Sequence, residues 1–229
     1  MRSLLLVHPE DHAALGRPLE AAPDVLVLGV AGGAPALVAG SFASLAAKRT
    51  VPLYVRVSST HSESLPAELD ALVPLRPDGI VLSGAAGGHA VTRLAALLRP
   101  REALAGIADG ATPIVAISAG TAAAVLGLDT FAGASARLAG LVCDAAALAA
   151  ASGTGTTAGP IMAARALTVL AASAAAVPAI DGAYGGNDLA GLEAEAEAAR
   201  RDGFAGKIAT RPEQVAVINR VFSRPASST

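Results

Sequence analysis

The sequence predicts an α/β fold of the (β/α)8 TIM-barrel class, and three observations carry the prediction. Eight short apolar segments recur along 229 residues, most of them followed by a helical pattern, and closed barrels of this kind run to roughly 250 residues. The segments are continuous apolar runs, as expected of strands buried on both faces of a parallel sheet. The chain is 53% hydrophobic and 16% charged, with no Trp and 3% aromatic residues, so Ala, Val and Leu must fill the interior. Ala favours helices and Val and Ile favour pleated strands; here Ala-rich stretches alternate with Val/Ile/Leu runs. Open doubly wound sheets share this local signature, and the count of eight decides for closure.

In chain order the expected strands are residues 4–7, 25–30, 53–57, 79–82, 114–117, 138–142, 177–180 and 207–209. Residues 152–159, SGTGTTAG, read as a loop. Residues 161–180 are the most apolar helical stretch, but Arg165 and Pro178 make them a crossover helix and a strand, not a membrane span. Residues 189–202 form the clearest helix. Glu193, Glu195, Glu197, Arg200 and Arg201 line one side, read as solvated surface, and Gly203 closes the end. One barrel domain over 1–223 and a flexible tail over 224–229 are expected.

Charge and composition exclude several function classes. A net charge of −2 leaves no basic footprint for nucleic acid. The opening MRSLLLVH has an apolar run of four before His8, too short for a signal-peptide core. Cys143 is the only cysteine, so no internal disulfide can form, which fits a cytoplasmic protein. A charged fraction of 16%, against about 25% in typical soluble domains, points to a homo-oligomer.

In this class the site lies at the C-terminal ends of the strands, and these ends are bland. Gly29, Ala31, Gly32 and Gly33 follow strand two, Ser83 to Ala86 follow strand four, and Ser118 to Gly120 follow strand five. Strand three delivers Arg56, whose guanidinium suits a carboxylate or a thioester carbonyl; pairing with an acid at the rim is the plainer alternative. Strand six is followed by Cys143, expected to be inert core, and Asp144. His8, His12, His61 and His89 lack metal-ligand spacing. The stretch GAAGGH offers Gly84, Gly87 and Gly88 as a weak anion cradle before a helix, but with neither a P-loop Lys nor Rossmann spacing, glycines that relieve crowding in the turn explain it as well.

Several stretches together carry a resemblance: RSLLLV at 2–7, VRVS at 55–58, PDGIVL at 77–82, LAGLV at 138–142, and residues 177–223. In the last of these, AIDG is followed by D-L-x-G-L, GF-x-GK, P-x-Q and N-x-x-F. In these the chain resembles the HpcH/HpaI aldolase and citrate lyase beta-subunit-like family. The resemblance implies a TIM barrel, usually trimeric or hexameric, that cleaves or forms a C–C bond in a hydroxyacyl-CoA or related acid. It also implies a magnesium ion held by a Glu after strand five and an Asp after strand six, with an Arg after strand three polarising the carbonyl. Arg56 matches that Arg, whereas Ser118 stands for the Glu and Ala147 for the Asp. The strand-two acids fall on Gly29, Ala31 and Gly32, the strand-four Lys and Glu on Gly84 and Ala86, and the His before the late Pro on Arg211. Longer relatives also carry a C-terminal extension over a neighbouring site, so such a lid is expected to be missing.

Three readings stay open. One is a barrel of lyase ancestry, a pseudoenzyme or nearly so, with no magnesium and a small acidic or acyl-CoA ligand near Arg56. Another is a working C–C lyase rebuilt on Arg56, Ser118 and Asp144. The third is a non-catalytic structural or partner subunit.

Overall fold

The computed structural model describes residues 1–8, 20–29, 35–48 and 50–223. His12, Ala31, Gly32, Gly33 and the tail 224–229 lie outside the described residues, as does the last residue of the expected second strand. The elements are β1 (Ser3–Val7), β2 (Val25–Gly29), α1 (Pro35–Ala46), β3 (Leu53–Val57), α2 (Leu65–Leu72), β4 (Gly79–Leu82), α3 (Gly88–Ala105) and β5 (Ile114–Ser118). They continue with α4 (Ala122–Leu126), β6 (Leu138–Cys143), α5 (Ala145–Ser152), α6 (Gly159–Ala174), β7 (Ala179–Asp181), α7 (Leu189–Arg201), β8 (Gly206–Ala209) and α8 (Pro212–Phe222). The eight strands close in sequence order into an all-parallel barrel, sealed by β1 against β8 with Ser3 opposite Lys207.

Period-two alternation sorts the strand side chains into two layers. Leu4, Val25, Val27, Tyr54, Val81, Val115, Ile117, Val142 and Ile180 pack on one another inside the barrel. Their neighbours Leu5, Leu26, Leu28, Val55, Val57, Ile80, Leu82, Ala116 and Leu141 face outward and form the larger core with the helices. Tyr54 fills the interior where β4 begins: a Cβ on Gly79 would lie 2.4 Å from its ring, so only glycine fits beside it. Burial pushes the Tyr54 hydroxyl above its ordinary pKa.

Seven of the expected strands are met to within a residue over the described positions; the seventh in chain order starts two residues late. There Val177 is drawn into the close of α6, its N–H donating to Ala172 O at 3.0 Å, with Ala176 at φ +55°. Pro178 has no N–H to give the sheet. The helix expected at 189–202 is α7: Asp188 caps it by accepting from Gly191 N at 2.6 Å, and Gly203 follows at φ +102°. At the end opposite the mouth, Arg137 before β6 bonds both oxygens of buried Glu102 on α3 at 2.6 Å, and Thr112 N adds a third bond at 3.1 Å. These bonds outweigh the cost of burial and hold the Glu102 carboxyl down at about 2. Among the described residues no helix is long and apolar enough to cross a membrane.

Candidate functional site

Arg56, near the C-terminal end of β3, lines a small space inside the barrel of about 20 Å³ with Leu4, Leu6, Val27, Val81, Ile117, Val142 and Ile208. Its Nε donates to Ser83 Oγ at 3.0 Å. With Nε engaged, the two terminal nitrogens form the edge left to a ligand, and no acid among the described residues pairs with them. An unpaired guanidinium against apolar walls is costly unless an anion completes it, and its planar fork matches a carboxylate. In the loop after β3, Ser58 is fixed by Glu68 of α2, which accepts from Ser58 N at 2.8 Å and from Ser58 Oγ and Ser64 Oγ at 2.6 Å. The loop beside Arg56 is therefore tied to its own helix.

The other strand-end residues singled out from the sequence lie elsewhere. Ser118 is the last residue of β5 and only 1% exposed, and its hydroxyl donates to Val142 O at 3.1 Å. Asp144 caps α5, accepting from Ala147 N at 3.1 Å. Ala147 sits in that first helical turn over Gly120, where an added Cβ would lie 3.5 Å from Ala147 Cβ and 3.6 Å from Asp144 Cβ. Asp144 lines a different cavity from Arg56, and Ser118 lines neither. The trio Arg56, Ser118 and Asp144 is not assembled around one space.

Magnesium does not fit these residues. Position 118 offers one hydroxyl already directed at a sheet carbonyl, position 147 offers a methyl group, and one Asp144 oxygen is taken by the helix cap. A hard divalent ion needs several oxygen ligands, and among the described residues no three His, Cys, Asp or Glu side chains cluster as a metal site.

The glycine stretch packs tightly instead of opening. Gly88 N donates to Thr130 Oγ1 at 2.8 Å, and a Cβ on Gly88 would sit 2.0 Å from Thr130 O. Gly87 would meet Thr130 Oγ1 at 2.9 Å, while Gly84 turns the chain at φ +58°. These contacts support the crowding explanation. His61 and His89 meet edge to face with ring centroids 6.4 Å apart, and His8 is exposed beside Gly29. Cys143 is buried, and burial pushes its thiol up to about 11.

Sequence reasoning missed a buried ladder of charges. Asp181 at the end of β7 and Lys207 in β8 are register neighbours, each 1% exposed, with Lys207 Nζ on Asp181 Oδ2 at 2.6 Å. Arg165 of α6 bonds the other Asp181 oxygen and lies over the Phe204 ring at 4.8 Å, while Glu195 of α7 accepts from Lys207 at 2.6 Å. The run on α7 is therefore more than solvated surface: Glu195 reaches inward, and Glu193 holds Arg220 of α8 at 2.9 Å. A signal was present, since AIDG and GK place an acid and a base in adjacent strands otherwise buried on both faces. Around this ladder opens a cavity of about 520 Å³ that reaches from the strand ends after β6 and β7 along α6 and α7, its lining including Asp144, Thr156, Tyr184 and Asp202.

No family model and no curated protein matches the chain. Solved structures do. RipC from Yersinia pestis is 25% identical with a TM-score of 0.78, over 99% of this chain and 96% of that one. CitE from Mycobacterium tuberculosis in complex with magnesium and acetoacetate is 21% identical with a TM-score of 0.78, over 100% of this chain and 92% of that one. The same protein with magnesium, acetoacetate and coenzyme A is 22% identical with a TM-score of 0.78, over 99% and 82%.

Proposed function

We propose that this chain, a barrel of the HpcH/HpaI aldolase and citrate lyase beta-subunit-like type, binds a small oxo acid or its CoA thioester at the mouth through Arg56. In this reading its magnesium-dependent C–C cleavage is weak or lost. What supports the reading is the setting of Arg56: its guanidinium donates to Ser83, lies among aliphatic side chains inside the barrel and pairs with no acid among the described residues. A ligand carboxylate, or the carbonyl oxygen of a thioester, would accept from both terminal nitrogens, and the surrounding Leu, Val and Ile would exclude water and strengthen the contact. The neighbours bound to acetoacetate and to coenzyme A suggest which ligands to try first. The remaining step of the family reaction is stabilisation of an enolate, which needs concentrated positive charge. Arg56 alone supplies little of it.

Calorimetry with acetoacetate, pyruvate and acetoacetyl-CoA, in EDTA and in magnesium, tests this. Binding that is insensitive to magnesium and weakened at least tenfold by Arg56→Ala is expected. Binding unchanged in Arg56→Ala would overturn the mouth as the site, and cleavage that depends on magnesium would overturn the loss of lyase chemistry.

A further inference from the structure

We infer that His8 is a second ligand-contacting residue of the mouth, one that donates to the oxo oxygen of the acid whose carboxylate Arg56 holds. It thereby selects oxo acids over plain carboxylic acids. The inference rests on the proposed binding at Arg56 and adds to it the residue that reads the oxo group.

Three neighbouring strands deliver one layer of positions to the mouth. Leu4 and Leu6 of β1, Val25 and Val27 of β2 and Tyr54 of β3 belong to the barrel interior, so the next inward positions along these strands are His8, Gly29 and Arg56. Gly29 is the register partner of Arg56. From the other side the imidazole of His8 lies against Gly29: a Cβ there would sit 3.4 Å from His8 Nδ1 and 3.6 Å from its Cε1. The ring thus stands on the inward side of β2, the strand next to that of Arg56, and strands lie about 4.8 Å apart. Glycine at 29 leaves no side chain between imidazole and guanidinium.

Donors face this gap. Arg56 brings its terminal N–H groups, the imidazole brings at least one N–H in either protonation state, and Ser83, which accepts from Arg56, keeps its hydroxyl proton. No acid lines the space beside Arg56. That space, about 20 Å³, takes roughly one water-sized group, so a ligand reaching Arg56 leaves the rest of itself in the mouth, where His8 stands. A plain carboxylate is satisfied by the guanidinium fork and offers the imidazole nothing. An oxo acid carries a further acceptor one or two carbons away, and a site that bonds it discriminates against the analogue lacking it. Because His8 is exposed, one hydrogen bond of ordinary net strength sets the scale, about tenfold in affinity.

Calorimetry of the full chain with matched acids, acetoacetate against butyrate and pyruvate against propionate, tests the inference. The parent should bind the oxo member of each pair about tenfold more tightly. His8→Ala should abolish that preference and leave the plain acids unchanged, and His8→Gln, which keeps an N–H donor, should restore part of it. Arg56→Ala should weaken both members of each pair together. Oxo-acid binding that Arg56→Ala weakens and His8→Ala does not, or a parent with no preference within the pairs, would overturn the role of His8 and leave the proposed function standing. A parent that binds none of the four acids would overturn both.

Discussion

Ser83 shows how one hydroxyl can decide the direction of a charge. By accepting from Arg56 Nε at 3.0 Å it occupies that nitrogen and leaves the two terminal ones outside the bond. Under the proposed function Ser83→Ala should let the guanidinium rotate and weaken oxo-acid binding several-fold, and Ser83→Thr should restore it. Titration calorimetry of the two variants checks this, and unchanged affinity in Ser83→Ala would remove Ser83 from the site. Gly88 offers a prediction independent of function. Its added Cβ would fall 2.0 Å from the Thr130 carbonyl oxygen, a backbone atom that cannot swing aside. Gly88→Ala should therefore cost about 1–3 kcal/mol as overpacking and lower the melting temperature by roughly 2–4 °C per kcal/mol. An unchanged melting curve would show that the turn yields more easily than this contact implies.

At the scale of elements, the strands are legible in the sequence because each is a short apolar run closed by turn residues, and the expected 53–57 and 79–82 agree with β3 and β4 to the residue. The side chains between elements are not legible, because pairing across a barrel depends on register that no local pattern encodes. Arg56 stands out as the charged residue of an apolar strand. Glu195 does not, since its neighbours along α7 include other acids, and only the approach of β8 selects it for Lys207. Glu102 is a similar case, and it predicts acid behaviour. Its carboxyl is held at about 2 from an ordinary 4.5, so the stability it contributes is complete above pH 4.5 and is lost as the pH falls from there towards 2. Glu102→Gln should flatten that part of the acid limb. It should also destabilise the fold by about 3 kcal/mol at neutral pH, because buried Arg137 loses its two-oxygen partner and keeps only the more exposed Asp109 as a charge partner. Chemical denaturation of both proteins from pH 2 to 7 measures the difference.

For the whole molecule, the barrel and its likeness to solved structures leave the assembly to be measured. Leu126 and Leu170 are 84% and 64% exposed. The resemblance implies a trimer or hexamer, which light scattering at micromolar concentration should detect; a monomer would count against it. Installing the two acids that the resemblance implies is a second test at this scale. The resemblance alone implies that Ser118→Glu with Ala147→Asp creates magnesium binding. The structure points the other way, because side chain 118 is directed at the Val142 carbonyl and a carboxylate there would be repelled. The double variant should melt below the parent and gain nothing across a magnesium series. Stabilisation that grows with metal concentration would instead show that the strand end can rearrange.

The placement of the aromatic residues gives the protein its own optical reporters. It has no Trp and only two Tyr, and the fold sends them to different places: Tyr54 into the barrel interior against Gly79, Tyr184 to the lining of the cavity beside α6 and α7 with its hydroxyl on Asp188. Tyrosine emission from the unlabelled chain therefore comes from two known positions, one sensing core packing and one sensing the cavity. Tyr184→Phe leaves a single tyrosine emitter in the interior, and the difference between the two spectra isolates the signal of Tyr184 without any attached dye.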